Sequence, residues 1–277
     1  MGNNKSKDML GNGPEEISRL ENQHDILRTL VHGNYHAPMD EALERGIRVL
    51  DVGCGPGKWT LEMAQDYPAS QFTGTDKAPV FPRNPPLPNC RYIQADTLKG
   101  LPFADNTFDY VFQRFLFLAF TQSDWAVVMY ELIRVTKPGG WIELFEFDLK
   151  FERTGPTYDR VWSALSSACE TRGIHIRVSQ ELPQLMSSLE NVHSETLTAS
   201  MGWNGRLGEQ AAHNFQQALL GMRKKLAHEL NISNEHYAQI VIRAVSEFPE
   251  NKTWTKMPYV YGMKPLTGSR PAVARAR

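Results

Sequence analysis

Arg48 to Lys58 reads RVLDVGCGPGK, an apolar strand pattern that empties straight into a turn with glycine at alternate positions. Val49, Leu50 and Val52 supply the buried strand. Gly53, Gly55 and Gly57 then let the backbone turn tightly and lie against a ligand that any Cβ would push away. The stretch reads as a cofactor cradle at a strand end. A dinucleotide fingerprint needs a small residue three positions after its second glycine, and Lys58 stands there, so NAD is disfavoured.

Working outward, WTLEMAQDY behind the glycines is a helix ending before Pro68, and QFTGTD, Cys90 to Ala95, FDYVFQ and GWIELFEF read as four further strands. A helix from Asp124 to Val135 precedes the last of these. Such alternation predicts a doubly wound, Rossmann-like α/β fold with a mostly parallel sheet. The link KAPVFPRNPPLPN is too rich in proline for a crossover helix and must be coil. Asn84-Pro85-Pro86 within it is a linker, since it follows the second strand and ends in Leu87.

Upstream, EEISRLENQHDILRTL from Glu15 to Leu30 is an amphipathic helix that Gly33 stops. Beyond Phe151 the pattern is helical over Tyr158 to Thr171, Glu181 to Leu189, Gly208 to Leu230 and Asn234 to Phe248. NVHSETLTAS and WTKMPYVYGMKP are expected to pair as an antiparallel edge on the sheet. The organisation expected is a disordered leader over 1–14, an N-terminal helix and lid over 15–45, a core over 46–150, a helical elaboration of the same domain over 151–265, and a disordered basic tail over 266–277.

Composition narrows the function classes. The 277 residues carry 30 Lys plus Arg against 31 Asp plus Glu, a formal net charge of −1, so no nucleic-acid partner is expected. Cys54, Cys90 and Cys169 are few, odd in number and far apart, which points to reduced thiols in a cytoplasmic or nuclear compartment. The polar first residues predict no secretory signal. MGNNKS fits an N-myristoylation acceptor at Gly2, with Lys5 and Lys7 adding weak, peripheral membrane attachment.

Asp76 closes the second strand, where doubly wound folds place an acid for ribose hydroxyls, and Asp96 closes the third and points to the same crevice. Asp51 adds a carboxylate beside the glycine turn, and no pyrophosphate clamp accompanies it. That charge pattern suits a cofactor with a cationic centre, such as S-adenosylmethionine.

Here the chain resembles the class I S-adenosylmethionine-dependent methyltransferases, through LDVGCGPG, GTDKAP, QADTLKGLPFADNTFDYVF and VTKPGGWIEL. Within them it is most similar to the fungal LaeA-like group of secondary metabolism, through RLENQHDILRTLVHGNYHAP, GTDKAPVFPRNPPLPNCRY and GGWIELFEF. The resemblance implies cofactor contacts at Asp51, Gly53, Gly55 and Gly57 for the amino-acid part, Asp76 for the ribose and Asp96 for the adenine. It adds Cys54, Lys77 and Thr97 beside them, and Gln113 facing the methionine moiety. Methyl transfer gains mainly from orientation, so no triad is needed. Candidates for a catalytic role are Tyr35, Arg114, Glu146 and Asp148.

His32 and His36 flank Gly33 and Asn34 in a loop and are not read as metal ligands; no metal is expected. Phe112, Phe115, Phe117 and Phe120 read as core. The function implied is methyl transfer to a small-molecule or protein acceptor, with a cofactor-binding regulator of little turnover as the alternative. Gly33 followed by Tyr35 and Pro38 suggests a hinged lid over the cofactor.

Overall fold

The computed structural model describes residues 9–266. Gly2, Lys5, Lys7 and the tail from 267 onward lie outside the described residues, so the myristoylation site falls there too. Met9 and Leu10 belong to the stretch expected as a disordered leader, yet Met9 is buried and its carbonyl accepts from Lys225 Nζ at 3.1 Å.

Helix α1 (Pro14–Leu30) begins with proline in its first turn, and Glu15 and Glu16 there complement the positive helix end. A short helix α2 (Asp40–Arg45), which the sequence pattern did not signal, leads into strand β1 (Arg48–Val52). Helix α3 (Lys58–Asp66) follows the glycine turn, and β2 (Gln71–Asp76) and β3 (Cys90–Gln94) are joined by the expected coil. Strand β4 (Phe108–Arg114), helix α4 (Gln122–Val135) and strand β5 (Thr136–Phe145) complete the first half. Thr121 and Asp124 form a reciprocal capping box that fixes the start of α4.

The second half departs more from its sequence pattern. Helix α5 (Pro156–Glu170) lies as expected, but the helix expected over 181–189 contracts to α6 (Leu182–Leu185), which Pro183 opens. After β6 (Glu190–Ser200), the long helix expected over 208–230 divides into α7 (Arg206–Gly221) and α8 (Arg223–Glu229). The division falls at Gly221, a weak helix former, and Met222, which is buried. Helices α9 (Asn234–Ser246) and α10 (Phe248–Asn251) lead to the last strand, β7 (Trp254–Met263).

Among the described residues, seven strands form one sheet in the order β3-β2-β1-β4-β5-β7-β6. The five from β3 to β5 are parallel, β7 lies antiparallel to β5, and β6 lies antiparallel to β7 at the edge. Side chains alternate across this sheet. Leu50, Val52, Val111 and Ile142 pack with Trp125 and Leu132 of α4, while Val49, Phe72 and Phe112 pack with Trp59 and Met63 of α3. Trp59 stacks on Phe112 with centroids 4.2 Å apart. Among the described residues no helix is long and apolar enough to cross a membrane. Helix α1 packs on α7 above the carboxyl ends of the parallel strands, and this pairing roofs the site.

Candidate functional site

The glycine turn is built by backbone bonds rather than side chains. Gly53 N and Cys54 N both donate to Thr75 O, at 2.7 and 2.9 Å, which pins the turn to the end of β2. Gly57 (φ 83°) caps α3 in the left-handed region, and a Cβ there would drive into the ring of Tyr92. Gly55 (φ 53°) differs: an added Cβ would meet only Leu20 Cδ1, at 3.7 Å, because this glycine faces open space. It is the point where a ligand can approach the backbone most closely.

Two acids flank that opening. Asp76 Oδ2 accepts from Gly55 N at 2.9 Å and Oδ1 from Ala78 N at 2.8 Å, which leaves each oxygen a further lone pair. Burial raises its pKa, and the backbone donors oppose the rise. Asp51 is buried, with Thr60 Oγ1 donating to its Oδ2 at 2.6 Å. Desolvation pushes its carboxyl up to about 7, against the pull of Thr60 and Arg114.

One cavity of about 260 Å³ runs from this turn beneath α1 into the helical half. Asp51, Gly53, Cys54, Gly55, Asp76 and Arg114 line it together. Its far wall is apolar: Phe147, Met201, Phe215, Met222 and Met257, with Leu20 and Leu27 overhead from α1. Arg19 closes one side of the roof, where its Nη1 donates to Asn214 Oδ1 at 3.1 Å and Asn214 Nδ2 donates back to Arg19 O at 2.8 Å. On the other side Lys58 pairs with Asp25 at 2.5 Å and Arg28 with Glu62 at 3.1 Å.

The remaining candidates lie elsewhere. Tyr35 is not in the cavity: its hydroxyl donates to Asp40 Oδ1 at 2.8 Å and shares a 2.7 Å bond with the Tyr67 hydroxyl, among aromatics packed on the opposite part of the sheet. Glu146 and Asp148 are also outside its lining, because Phe147 between them takes the cavity side. Glu146 is fully buried and accepts from Leu116 N at 3.1 Å and Phe117 N at 3.2 Å, with its pKa raised by burial to about 8. Asp148 accepts from Lys150 N at 2.9 Å and Gln180 Nε2 at 3.3 Å.

Gly57 stands behind the turn, and Lys77, Asp96 and Thr97 fall outside the cavity lining. Asp96 caps the short helical turn Thr97–Lys99 by accepting from Leu98 N at 3.1 Å. Gln113 turns to the α4 face, between Phe112 and Arg114 on the other, and its amide oxygen and nitrogen are buried without a protein partner. His36, read as a loop histidine, places Nδ1 2.9 Å from Glu143 Oε1 and stacks on Tyr259.

His24 escaped the sequence reading. It sits on the inner face of α1, with Nδ1 3.1 Å from Arg114 Nη2 and Nε2 2.9 Å from Glu62 Oε2. Arginine can only donate, so Nδ1 accepts and Nε2 carries the proton toward Glu62. Burial and the Arg114 charge lower its pKa to about 4, so the ring is neutral at physiological pH. Its partners lie 90 and 38 residues away in sequence, which no local pattern reveals.

A reversed β7 set between β5 and β6, with a glycine turn and strand-end acids at the top of β1 and β2, defines a Rossmann-like protein of the methyltransferase type. Residues 49–140 match the family model described as "Methyltransferase domain". The N-methyltransferase sirN of Leptosphaeria maculans is 30% identical over 213 residues, covering 74% of this chain and 75% of that protein. The secondary metabolism regulator laeA of Coprinopsis cinerea is 31% identical over 138 residues, covering 48% of this chain and 34% of the regulator. Phosphoethanolamine N-methyltransferase 2 of Haemonchus contortus, solved with S-adenosyl-L-methionine, shares the fold at a TM-score of 0.50 and 15% identity. That likeness covers 89% of this chain, which spans about half (52%) of that structure. The chain belongs to the class I S-adenosylmethionine-dependent methyltransferases. Its cofactor is S-adenosylmethionine, and its reaction is transfer of the cofactor's methyl group to an acceptor.

Proposed function

We propose that the acceptor is an apolar small molecule that enters the chamber between the glycine turn and α7, and that it is methylated on nitrogen. The observation carrying this reading is the continuity of one cavity from Gly55 and Asp76 to Phe215 and Met222. Its far wall offers aromatic rings and thioethers, and such surfaces bind compact apolar ligands. A roof of α1 and α7, fastened by Arg19 and Asn214, suits an enclosed small molecule better than an extended peptide. The naming of sirN as an N-methyltransferase supports nitrogen as the accepting atom.

The residues fit the cofactor. The open face of Gly55 admits a ligand against the backbone, Asp76 has lone pairs left for a ribose diol, and Asp51 stands ready for the ammonium of the amino-acid end. Asp96, at the end of the neighbouring strand, is assigned the adenine amine. Cofactor binding supplies an activated methyl group, and the protein's share is orientation and exclusion of water. Tyr35, Glu146 and Asp148 take no part, whereas Arg114 and His24 face the reacting space.

Likeness to laeA favours a second reading, a cofactor-binding regulator. An apolar chamber beyond the cradle speaks for an acceptor instead. Methyl-labelled cofactor incubated with the protein and fractionated metabolite extract tests this. Label is expected in an organic-soluble small molecule; label confined to protein, or cofactor binding without turnover, overturns the reading.

A further inference from the structure

Three cations line the cavity besides neutral His24: Arg19, Lys58 and Arg114. Arg19 is neutralised by Glu16, with Nη2 to Oε1 at 2.6 Å, and Lys58 by Asp25. Arg114 is different. Among the described residues its guanidinium makes one hydrogen bond, to His24 Nδ1, and no ion pair within salt-bridge distance. Its Cζ lies 6.0 Å from the ring centroids of both Phe112 and Phe115, so aromatic faces hold it where a carboxylate would otherwise stand. Among the described residues no protein group takes this cation's remaining donors.

We infer that Arg114 receives the acceptor as its conjugate base, that is, a weakly acidic aromatic N–H compound that has given its proton to water. This rests on the reading of the chamber as an acceptor site and names the class of acceptor it takes. Two further features point the same way. The cavity lining holds no base left over for the acceptor, since both nitrogens of His24 are engaged and the proposed cofactor contacts take Asp51 and Asp76. A neutral acceptor of this class would therefore have nowhere to lose its proton inside, whereas an acceptor already ionised needs only a charge partner.

The groups that face Arg114 are His24 from α1, Asp51 from β1, Glu62 from α3 and Glu143 from β5. Burial draws its pKa down to about 10 and the three carboxylates oppose this, so it remains cationic through the neutral range. In a chamber walled by Phe147, Phe215 and methionines, the pull of a fixed guanidinium on an anion is stronger than in water and offsets the cost of desolvating it.

The test uses 4-nitrophenol and its neutral methyl ether, 4-nitroanisole, with the full-length protein saturated with S-adenosylhomocysteine. The visible band of the phenolate reports ionisation of the bound probe without turnover. The bound phenol is expected to ionise about one pH unit below the free phenol, equivalent to about tenfold preference for the anion. Arg114→Gln should abolish the shift, and Arg114→Lys should restore part of it. Equal binding of the two probes with no shift overturns the inference but leaves the chamber as an acceptor site. Binding of neither probe overturns both. If Arg114→Gln loses S-adenosylhomocysteine while keeping the anion preference, Arg114 belongs to the cofactor and the inference fails. Should the glutamine variant not fold, the wild-type comparison of the two probes still decides.

Discussion

The two ends of the cavity are built on opposite plans. At the cofactor end, Gly53, Gly55 and Asp76 come from short neighbouring segments and act through backbone bonds at 2.7 to 2.9 Å. At the acceptor end, Phe147 and Met201 come from the turns after β5 and β6, Phe215 from α7, Met222 from the junction of α7 and α8 and Met257 from β7, and they act through shape alone. A polar ligand with fixed atoms demands particular geometry, and particular geometry leaves a motif. An apolar wall demands only volume, which many side chains supply equally well.

The contrast breaks first at Gly55. Gly55→Val would force a β-branched residue into the left-handed region and fill the space above the turn. Binding of S-adenosylhomocysteine is expected to weaken by at least about 4 kcal/mol, a thousandfold, as read by calorimetry. Binding within tenfold of wild type would place the cofactor elsewhere.

Phe215→Ala acts at the other end. Phe215 is 7% exposed and packs against Phe147 and Phe151, so its loss should cost about 3 kcal/mol of stability in thermal unfolding. Cofactor affinity should stay unchanged while the acceptor KM rises. A matching fall in cofactor affinity would mean that the two ends are not separable.

Asp76→Ala removes a charged acceptor without touching the apolar wall. Calorimetry is expected to show S-adenosylhomocysteine weakened by about 1.5–3 kcal/mol, with binding of an apolar probe such as 4-nitroanisole retained. Unaltered cofactor affinity would remove Asp76 from the site.

Away from both ligands, Glu146 holds the backbone of Leu116 and Phe117 between the two ends. Burial pushes its folded pKa up to about 8, well above the usual carboxylate range, so the unfolded chain ionises first as pH rises. Stability should fall between about pH 4.5 and pH 8 and level off above, because the unfolded carboxyl ionises over that range while the folded one stays protonated. Thermal unfolding of Glu146→Gln should show a flatter pH profile over that window; an identical slope would mean that Glu146 ionises freely.

The same contrast explains what the sequence made legible. The parallel strands and the glycine turn were readable because Val49, Leu50 and Val52 form a short apolar run, buried on both faces, that ends abruptly in glycine. Asp51 and Asp76 were legible by position, and the structure brings both to the cavity. Tyr35 was misplaced because chain proximity to β1 said nothing of Asp40 and Tyr67, which hold its hydroxyl. Glu146 and Asp148 follow a strand whose alternation continues past its end, so the intervening Phe147 faces the ligand instead. His24 looks like any polar residue on an amphipathic helix, and only tertiary packing gives it Arg114 and Glu62. The break at Gly221 was hidden because the apolar periodicity runs on through both helices.

Strand β7 lies late in the chain yet sits inside the sheet, bonded to β5 on one side and β6 on the other. A growing polypeptide can pair β1 through β5 early, but β5 then keeps a bare edge until Trp254 to Met263 arrives. Pairings so distant in sequence form slowly, and an unpaired apolar edge invites association with other chains meanwhile. Folding is thus expected to wait on β7, and a chain that stalls before Trp254 is the form expected to expose that edge.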